Sequence, residues 1–133
     1  MSKNLLESPP YLPYEVRMER MIEFFRHAVI GIRQFKIERV VYCEIRYRDH
    51  IWCGVAVCNP SDEWNQYRGW RLAAIRAARA CAPELNFDTD GCVRLLKKYV
   101  RVQSIIHNMI VPTEWELEEY KDLLGYQKEM QND

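Results

Sequence analysis

Apolar residues recur every three or four positions through the first part of the chain after Tyr14. The stripe consists of Met18, Ile22, Phe25, Val29 and Ile32. Charged residues occupy most of the surface around it, and this spacing is typical of an amphipathic helix that packs one face on a core. We therefore predict a helix from Tyr14 to about Arg33 or Gln34, with the stripe facing a sheet.

The next two apolar segments change to a period of two. Residues 37–48 alternate, so that one face carries Val41, Cys43, Ile45 and Tyr47. Residues 51–58 are rich in β-branched and aromatic side chains, and Asp49 with His50 predicts a tight turn between the two segments. The pattern predicts an antiparallel hairpin. Because two strands alone are marginally stable in water, we expect a third strand, a packed helix or another subunit to complete the sheet.

A sharp corner follows the second strand at Asn59 and Pro60, since proline lacks a backbone N–H and fixes φ. Ser61 and Asp62 are both good N-caps, so we predict a helix from Asp62 to about Cys81.

Two glycines in this region predict close packing. Gly54 lies in the middle of a strand, where it indicates a bulge or a close approach by a ligand or another chain. Gly69 costs stability inside a helix, and we expect a tight helix crossing to compensate. Small residues on the same helix would allow a neighbouring helix to approach, namely Ala73, Ala74, Ala77, Ala78 and Ala80.

After a loop over residues 82–87 that contains Pro83, Thr89 or Asp90 caps a third helix. Its apolar stripe is Cys92, Leu95, Leu96, Tyr99, Val102, Ile106 and Met109. Thr113 and Glu116 then form the pattern of a capping box, which opens a short acidic helix that Gly125 closes.

These elements predict an α+β fold, in which an antiparallel hairpin-based sheet is packed by three helices plus a short acidic C-terminal helix. We predict an extended N-terminal arm over residues 1–13, where three prolines occur, a single domain over residues 14–126, and a frayed tail over residues 127–133.

Composition favours a cytosolic globular protein. The chain has 133 residues, of which 48% are hydrophobic, and it contains neither an apolar run of membrane-spanning length nor the order of a signal peptide. The 5 cysteines are an odd number, and several lie in predicted strands. Reduced, buried thiols are therefore expected rather than a disulfide framework.

The net charge of zero is a sum of unlike parts. Residues 33–111 carry thirteen basic and eight acidic side chains, whereas residues 112–133 carry two basic and seven acidic ones. The middle of the chain is thus positive and its end negative. This asymmetry indicates either an anionic partner at the centre or an acidic tail that docks on the basic face of its own or a neighbouring subunit.

No common catalytic signature occurs in the chain, which predicts binding rather than chemistry. Cys53 and Cys58 face opposite sides of one strand, so a shared metal is not expected, and we predict no cofactor. An enzymatic alternative is a nucleophilic pair of Cys58 and His107, since both lie at the ends of elements.

Arginine and aromatic residues cluster on the second predicted helix. Arg68, Arg71, Arg76 and Arg79 share one broad face, and tryptophans and a tyrosine accompany them. Guanidinium groups clamp phosphates and indole rings stack on bases. The predicted ligand-binding residues are Arg68, Arg71, Arg76, Trp64 and Asn65. The alternative is a solvated face with ion pairs to the acidic tail, and aromatics that belong to the core or a subunit contact.

The segment over residues 52–80, about a fifth of the chain, resembles a pattern found in small bacteriophage proteins. In that pattern a hydrophobic strand is followed by C-x-P-x-D-x-aromatic-N and then by G-x-x-x-A-x-x-R-A. The matching residues are Gly54, Ala56, Cys58, Pro60, Asp62, Trp64, Asn65, Gly69, Ala73 or Ala74, Arg76 and Ala77. Some phage proteins of this size, including the anti-Thoeris sponge proteins, sequester cyclic nucleotide signals between subunits.

The resemblance implies a phage counter-defence protein that binds an anionic (cyclic) nucleotide signal in the host cytoplasm without catalysis. The incomplete hairpin further predicts a homo-oligomer that completes the sheet. Two alternatives belong to other classes. One is an inhibitor of a host defence protein that uses the acidic helix as a nucleic-acid mimic. The other is a nucleic-acid-binding module that uses the arginines of the second helix together with a second basic cluster on the third helix, namely Arg94, Lys97, Lys98 and Arg101.

Overall fold

The hairpin predicted from the alternating segments forms the centre of a three-stranded sheet. The computed structural model describes residues 12–122. Its elements are α1 (Tyr14–His27), β1 (Val29–Phe35), β2 (Val40–Tyr47), β3 (His50–Val57), α2 (Gln66–Glu84), α3 (Thr89–Ile106) and α4 (Glu114–Glu119). The sheet is antiparallel with the order β1-β2-β3. The predicted α+β class is confirmed.

The first predicted helix is too long. α1 ends at His27, and Ala28 already has an extended backbone. The residues that follow form β1 and pair with β2, so that the chain itself supplies the third strand. The prediction extended the helix too far because Val29 and Ile32 also fit the pattern of a strand. In that strand Ile30 and Ile32 pack on the core. In α1 the buried side chains are Met21 and Phe24, whereas Ile22 of the predicted stripe is exposed.

The inward face of the hairpin is as predicted. Val41, Cys43 and Ile45 of β2 are fully buried, and Trp52 and Ala56 of β3 lie on the same face. The turn lies one residue earlier than expected, between Tyr47 and His50, with Arg48 at a φ of 53°.

Helix boundaries also differ from the prediction. α2 begins four residues later, because residues 59–62 form a turn in which the Asp62 N–H donates to the Asn59 carbonyl at 2.9 Å. Asn65, rather than Ser61 or Asp62, is the N-cap. Helix α2 then includes Pro83, so the expected loop over residues 82–87 begins only after Glu84.

The later helices are capped as follows. Asp88, not Thr89 or Asp90, caps α3 by accepting from the Gly91 N–H at 2.8 Å. The capping box of Thr113 and Glu116 is present at the start of α4. The predicted end at Gly125, the frayed tail, and the arm over residues 1–11 lie outside the described residues.

Helix α2 packs with its backbone directly on the sheet. Ala73, Ala74, Ala77 and Ala78 are fully buried. A Cβ placed on Gly54 would lie 2.1 Å from the Ala73 carbonyl oxygen. The close approach predicted at Gly54 is therefore made by α2 of the same chain. At Gly69 the neighbour is Val41 of β2, so this contact joins a helix to a strand rather than to another helix.

Candidate functional site

A cavity of about 800 Å³ opens where β3 ends and α2 begins. Its wall is formed by the end of β3, the loop over residues 58–65 and the first turns of α2. The floor is made of Val41, Ala56 and Gly69. Because Ala56 and Gly69 carry little or no side chain, space is left above the sheet at this corner. The volume falls in the range of small-molecule sites.

Four of the five predicted ligand-binding residues line this cavity. They are Trp64, Asn65, Arg68 and Arg71. Arg68 and Arg71 are exposed, and neither forms an ion pair with a carboxylate of residues 12–122. Two cationic groups therefore line the cavity with no counter-charge bound to them from the described residues.

Arg76 lies elsewhere. It is not a lining residue, and its Nη1 donates to the carbonyl oxygen of Val55 at 2.6 Å. This bond occupies a backbone acceptor on the outer edge of β3, since β2 pairs with the other edge. The arginines predicted to share one helical face thus have different surroundings: Arg68 and Arg71 line the cavity, and Arg76 bonds to the edge of the sheet.

Asn65 has a defined local role at the cavity wall. Its side-chain oxygen accepts from the Arg68 N–H at 3.0 Å and so caps α2. The cap fixes the first turn of the helix, which carries Arg68 and leads to Arg71 one turn later. Asn65 therefore positions the arginines.

The aromatic residues of this region do not form one cluster. Trp64 is half-buried, packs against the core and lines the cavity. Trp70 donates to Gln34 Oε1 at 3.3 Å and contacts His107 edge to face. Trp52 belongs to the core. One indole ring is consequently available to a ligand in the cavity.

The loop that forms the outer wall is held by Arg39, which the sequence analysis did not single out. Arg39 lies in the turn between β1 and β2, directly before Val40, with a φ of 57°. Its Nη2 donates to Cys58 Sγ at 3.1 Å, to the Asn59 carbonyl at 3.4 Å and to the Asp62 carbonyl. The Asn59 side chain in turn accepts from the N–H and hydroxyl of Ser61. No sequence signal marks an arginine that reaches 23 residues along the chain.

Carboxylates also face the cavity. Asp62 and Glu63 lie on the loop opposite the arginines, and both are exposed lining residues. The lining therefore carries charges of both signs. Guanidinium groups bind phosphate oxygens, whereas carboxylates accept from N–H groups. A ligand with an anionic end and a hydrogen-bond-donating end matches this arrangement.

The acidic helix α4 docks on the second basic cluster, on α3, within the described part of the chain. Arg101 donates to both carboxylate oxygens of Glu116, with Nη2 at 2.7 Å from Oε1. This bond is the main reason why the pKa of Glu116 is lowered to about 2. The Arg101 guanidinium also lies 5.6 Å from the centre of the Tyr67 ring. In the described part of the chain the expected contact between tail and basic face thus involves α3, and Arg68 and Arg71 form no ion pair there.

Cys58 and His107, the pair of the enzymatic alternative, contact different residues. The Cys58 thiol contacts Arg39, whereas His107 packs on Trp70. All five cysteines are free. Among residues 12–122 no three histidine, cysteine or acidic side chains converge as a metal site, and no helix there is long and apolar enough to cross a membrane.

Comparison of the chain with protein-family models, curated proteins and solved structures finds no match. The resemblance to phage proteins stays a prediction. The support for the candidate site is therefore the geometry of the structure.

Proposed function

We propose that the chain is a binding protein that captures an anionic nucleotide in the cavity between β3 and α2 without altering it chemically. The observation that carries the proposal is a pair of guanidinium groups, Arg68 and Arg71, that form no ion pair within residues 12–122 and lie beside the half-buried indole of Trp64 at a cavity of about 800 Å³. Exposed arginines are common on protein surfaces, but here they share a concave site with an aromatic ring.

The two charge types of the lining suggest an orientation for the ligand. Arg68 and Arg71 bind the phosphate oxygens, and Trp64 stacks on the base. Asp62 and Glu63 accept from amino or imino groups of the base. A dinucleotide, a cyclic nucleotide or an ADP-ribose derivative provides these groups. A simple polyanion lacks the donors and would meet the repulsion of the two carboxylates.

The resemblance over residues 52–80 supplies the biological setting of the proposal. In that setting a phage-encoded protein holds an immune nucleotide signal in the host cytoplasm and so keeps it from its receptor. Sequestration requires tight binding and slow release rather than catalysis.

Binding of a nucleotide panel tests the proposal. We expect at least one cyclic or ADP-ribose-type nucleotide to raise the melting temperature and to be recovered intact after heating. Arg68→Ala and Arg71→Ala should each weaken its binding by about tenfold or more, because each removes a charge-assisted hydrogen bond. Arg79→Ala is the matched control, since Arg79 is exposed on the same helix and does not line the cavity.

Two results would refute nucleotide binding in the cavity. One is the absence of any thermal shift or calorimetric signal with the whole panel. The other is an equal loss of affinity in Arg79→Ala and Arg68→Ala, which would indicate diffuse attraction to a basic surface. Diffuse attraction would also show a steep dependence on salt, and it would favour the nucleic-acid-binding alternative.

One observation favours the alternative of a host-protein inhibitor. On α4, Trp115 is 66% exposed and Leu117 is 49% exposed. The exposed carboxylates of Glu114, Glu118 and Glu119 surround them. Apolar groups within an acidic surface are typical of a protein contact that competes with nucleic acid. Charge reversal at Glu118 and Glu119 should abolish inhibition under this alternative and leave nucleotide binding unchanged.

A further inference from the structure

The sheet has a second face that points away from the helices. The register places its side chains in four rows across the strands: Val29, Arg46 and Ile51; Gly31, Glu44 and Cys53; Arg33, Tyr42 and Val55; Phe35, Val40 and Val57. Among residues 12–122 the helices pack on the other face, through Val41, Trp52 and Ala56. No described element covers these rows.

The four corners of this open face are apolar and exposed. Val29 and Phe35, at the two ends of β1, are 64% and 48% exposed, and Ile51 and Val57, at the two ends of β3, are 50% and 66% exposed. Val55 adds a fifth such side chain within β3. Val55 and Val57 adjoin on this face of β3, and adjoining exposed apolar side chains are a feature of interaction surfaces.

The centre of the open face carries charges that lack partners in the described chain. Arg33 on β1 and Glu44 on β2 lie in adjacent rows, and neither forms an ion pair with residues 12–122. Gly31 lies beside Glu44 in the same row. A Cβ placed on Gly31 would have no heavy atom within 4 Å, so the face has a gap there.

We propose that this face binds a second copy of the chain through a two-fold axis that runs across the strands. Such an axis places each strand over the same strand of the copy, in the reverse direction. The first row then faces the fourth row, and the second row faces the third. Val29 faces Phe35 of the copy, and Ile51 faces Val57 of the copy, so that all four apolar corners are matched.

The same operation matches two of the three charges in these rows, those of Arg33 and Glu44. Arg33 faces Gly31 of the copy, where the missing side chain leaves room for it. Glu44 of the copy is the next residue in that row, about 5 Å away across the strands. Two ion pairs between Arg33 and Glu44 result, one on each side of the axis. Isologous contacts require this kind of self-complementarity.

The other two-fold arrangement is excluded by charge. An axis parallel to the strands places each row over the same row of the copy. Glu44 would then face Glu44, and like charges at this separation oppose association. The positions of Glu44 and Arg33 thus select one of the two arrangements.

The expected dimer is weak. From strand spacing and rise, a three-stranded face of seven residues measures about 14 Å by 24 Å. With the side chains at its margins, two such faces bury about 1,000 Å² in total, near the lower limit of specific interfaces. We therefore expect a dissociation constant in the micromolar range.

Sedimentation velocity of the full chain, over a range of roughly 1 to 200 µM, tests the proposal. We expect a shift from monomer to dimer as concentration rises. Arg33→Glu and Glu44→Arg should each weaken association by about tenfold or more, because each places like charges together. The double variant Arg33→Glu/Glu44→Arg restores both pairs and should dimerise. Arg79→Glu, which changes an exposed charge on α2, is the control.

If dimerisation returns in the double variant, the single variants lost the interface and not the fold. Circular dichroism of each single variant should match the parent protein. A monomer at every concentration, or a double variant that associates no better than the single ones, would overturn the proposal.

Alkylation of thiols distinguishes the occupant of the face. Cys53 lies in the second row of the open face, whereas Cys58 lies in the loop beside the cavity. We expect N-ethylmaleimide to modify Cys53 more slowly as concentration rises and Cys58 at a constant rate. A modification rate of Cys53 that does not change with protein concentration would contradict binding of a second copy to this face. Protection of Cys53 in a protein that stays monomeric would contradict it as well. The test needs no nucleotide, so its outcome is independent of the cavity.

Discussion

Gly54 of β3 and Ala73 of α2 meet through their backbones. A Cβ on Gly54 would lie 2.1 Å from the Ala73 carbonyl oxygen and 2.3 Å from the Ala77 nitrogen. Atoms of a helix backbone cannot move aside as a flexible side chain can. The distance between α2 and the sheet, and with it the height of the cavity floor, is therefore set by a single absent methyl group.

The first prediction concerns this contact. Gly54→Ala should destabilise the protein by at least about 3 kcal/mol, because α2 must shift away from β3 and its buried alanines lose their packing. Urea unfolding followed by circular dichroism measures the change.

The matched control for Gly54→Ala is Gly31→Ala on β1. No atom lies within 4 Å of a Cβ at Gly31, so this substitution should be neutral or should stabilise by up to about 1 kcal/mol. Equal destabilisation in both variants would contradict the role of the helix contact. It would indicate instead a general sensitivity of the sheet to a larger residue.

The second prediction concerns the pH dependence of α4. The pKa of Glu116 falls from its ordinary value of 4.5 to about 2, mainly through the hydrogen bond from Arg101 and further through the N–H of Thr113. Because the folded pKa is the lower one, the contribution of this pair is complete above about pH 4.5 and is lost as the pH falls toward 2. Trp115 fluorescence should report undocking of α4 in that window.

Variants sharpen the test of the acidic helix. Glu116→Gln should lose the pH-dependent step and destabilise the docked helix by about 1–3 kcal/mol, since a buried charge-assisted bond is removed. Glu118→Gln is the control, because Glu118 is exposed and pairs only with Lys121 in the described structure. A step that persists in Glu116→Gln would assign it to another carboxylate.

The third prediction concerns the wall of the cavity. Arg39→Ala removes the bonds to Cys58, Asn59 and Asp62 that hold the loop. Amide hydrogen exchange over residues 58–63 should accelerate, and nucleotide affinity should fall although Arg39 does not line the cavity.

Arg48→Ala is the control for Arg39→Ala, since Arg48 also has a positive φ and lies in the other hairpin turn. It contacts the Tyr47 ring at 5.3 Å rather than the loop. Similar exchange rates in the two variants would mean that the loop is held by other contacts.

The fourth prediction concerns the thiols. Burial raises the pKa of Cys43 and Cys92 to about 12 and raises that of Cys81 further. Their thiolates are thus nearly absent at pH 8, and we expect these three to resist alkylation in the native protein. Cys53 and Cys58 are half-buried and should react in dilute solution. Mass spectrometry should find all five modified after denaturation, and early modification of Cys81 would contradict the packing of α2.

The sequence was a sufficient guide to the hairpin and to the composition of the site. Alternation in β2 gave the buried face correctly, because Glu44 and Arg46 mark the other face as the one that is not buried. Trp64, Asn65 and Arg68 came together because they are neighbours in sequence at the start of one helix. Local order of this kind needs no tertiary information.

The sequence pattern does not reveal β1, and the reason is specific. Residues 29–35 contain apolar side chains at positions that fit both a helix and a strand, and no breaker separates them from α1. Pairing with β2 decides between the two, since the hairpin needs a third strand and Ile30 and Ile32 then reach the core. Such long-range pairing has no local signature.

The sequence by itself determined which face of β2 is apolar and which residue types the cavity presents, because periodicity and neighbour spacing are local properties. The tertiary structure decided that Arg71 lines the cavity while Arg76 bonds to the edge of β3, and that Arg39 holds a loop distant in sequence. It also decided that no element within residues 12–122 covers one face of the sheet. The placement of Arg71 and Arg76 depends on where α2 lies on the sheet, and that position follows from the contact between Gly54 and Ala73.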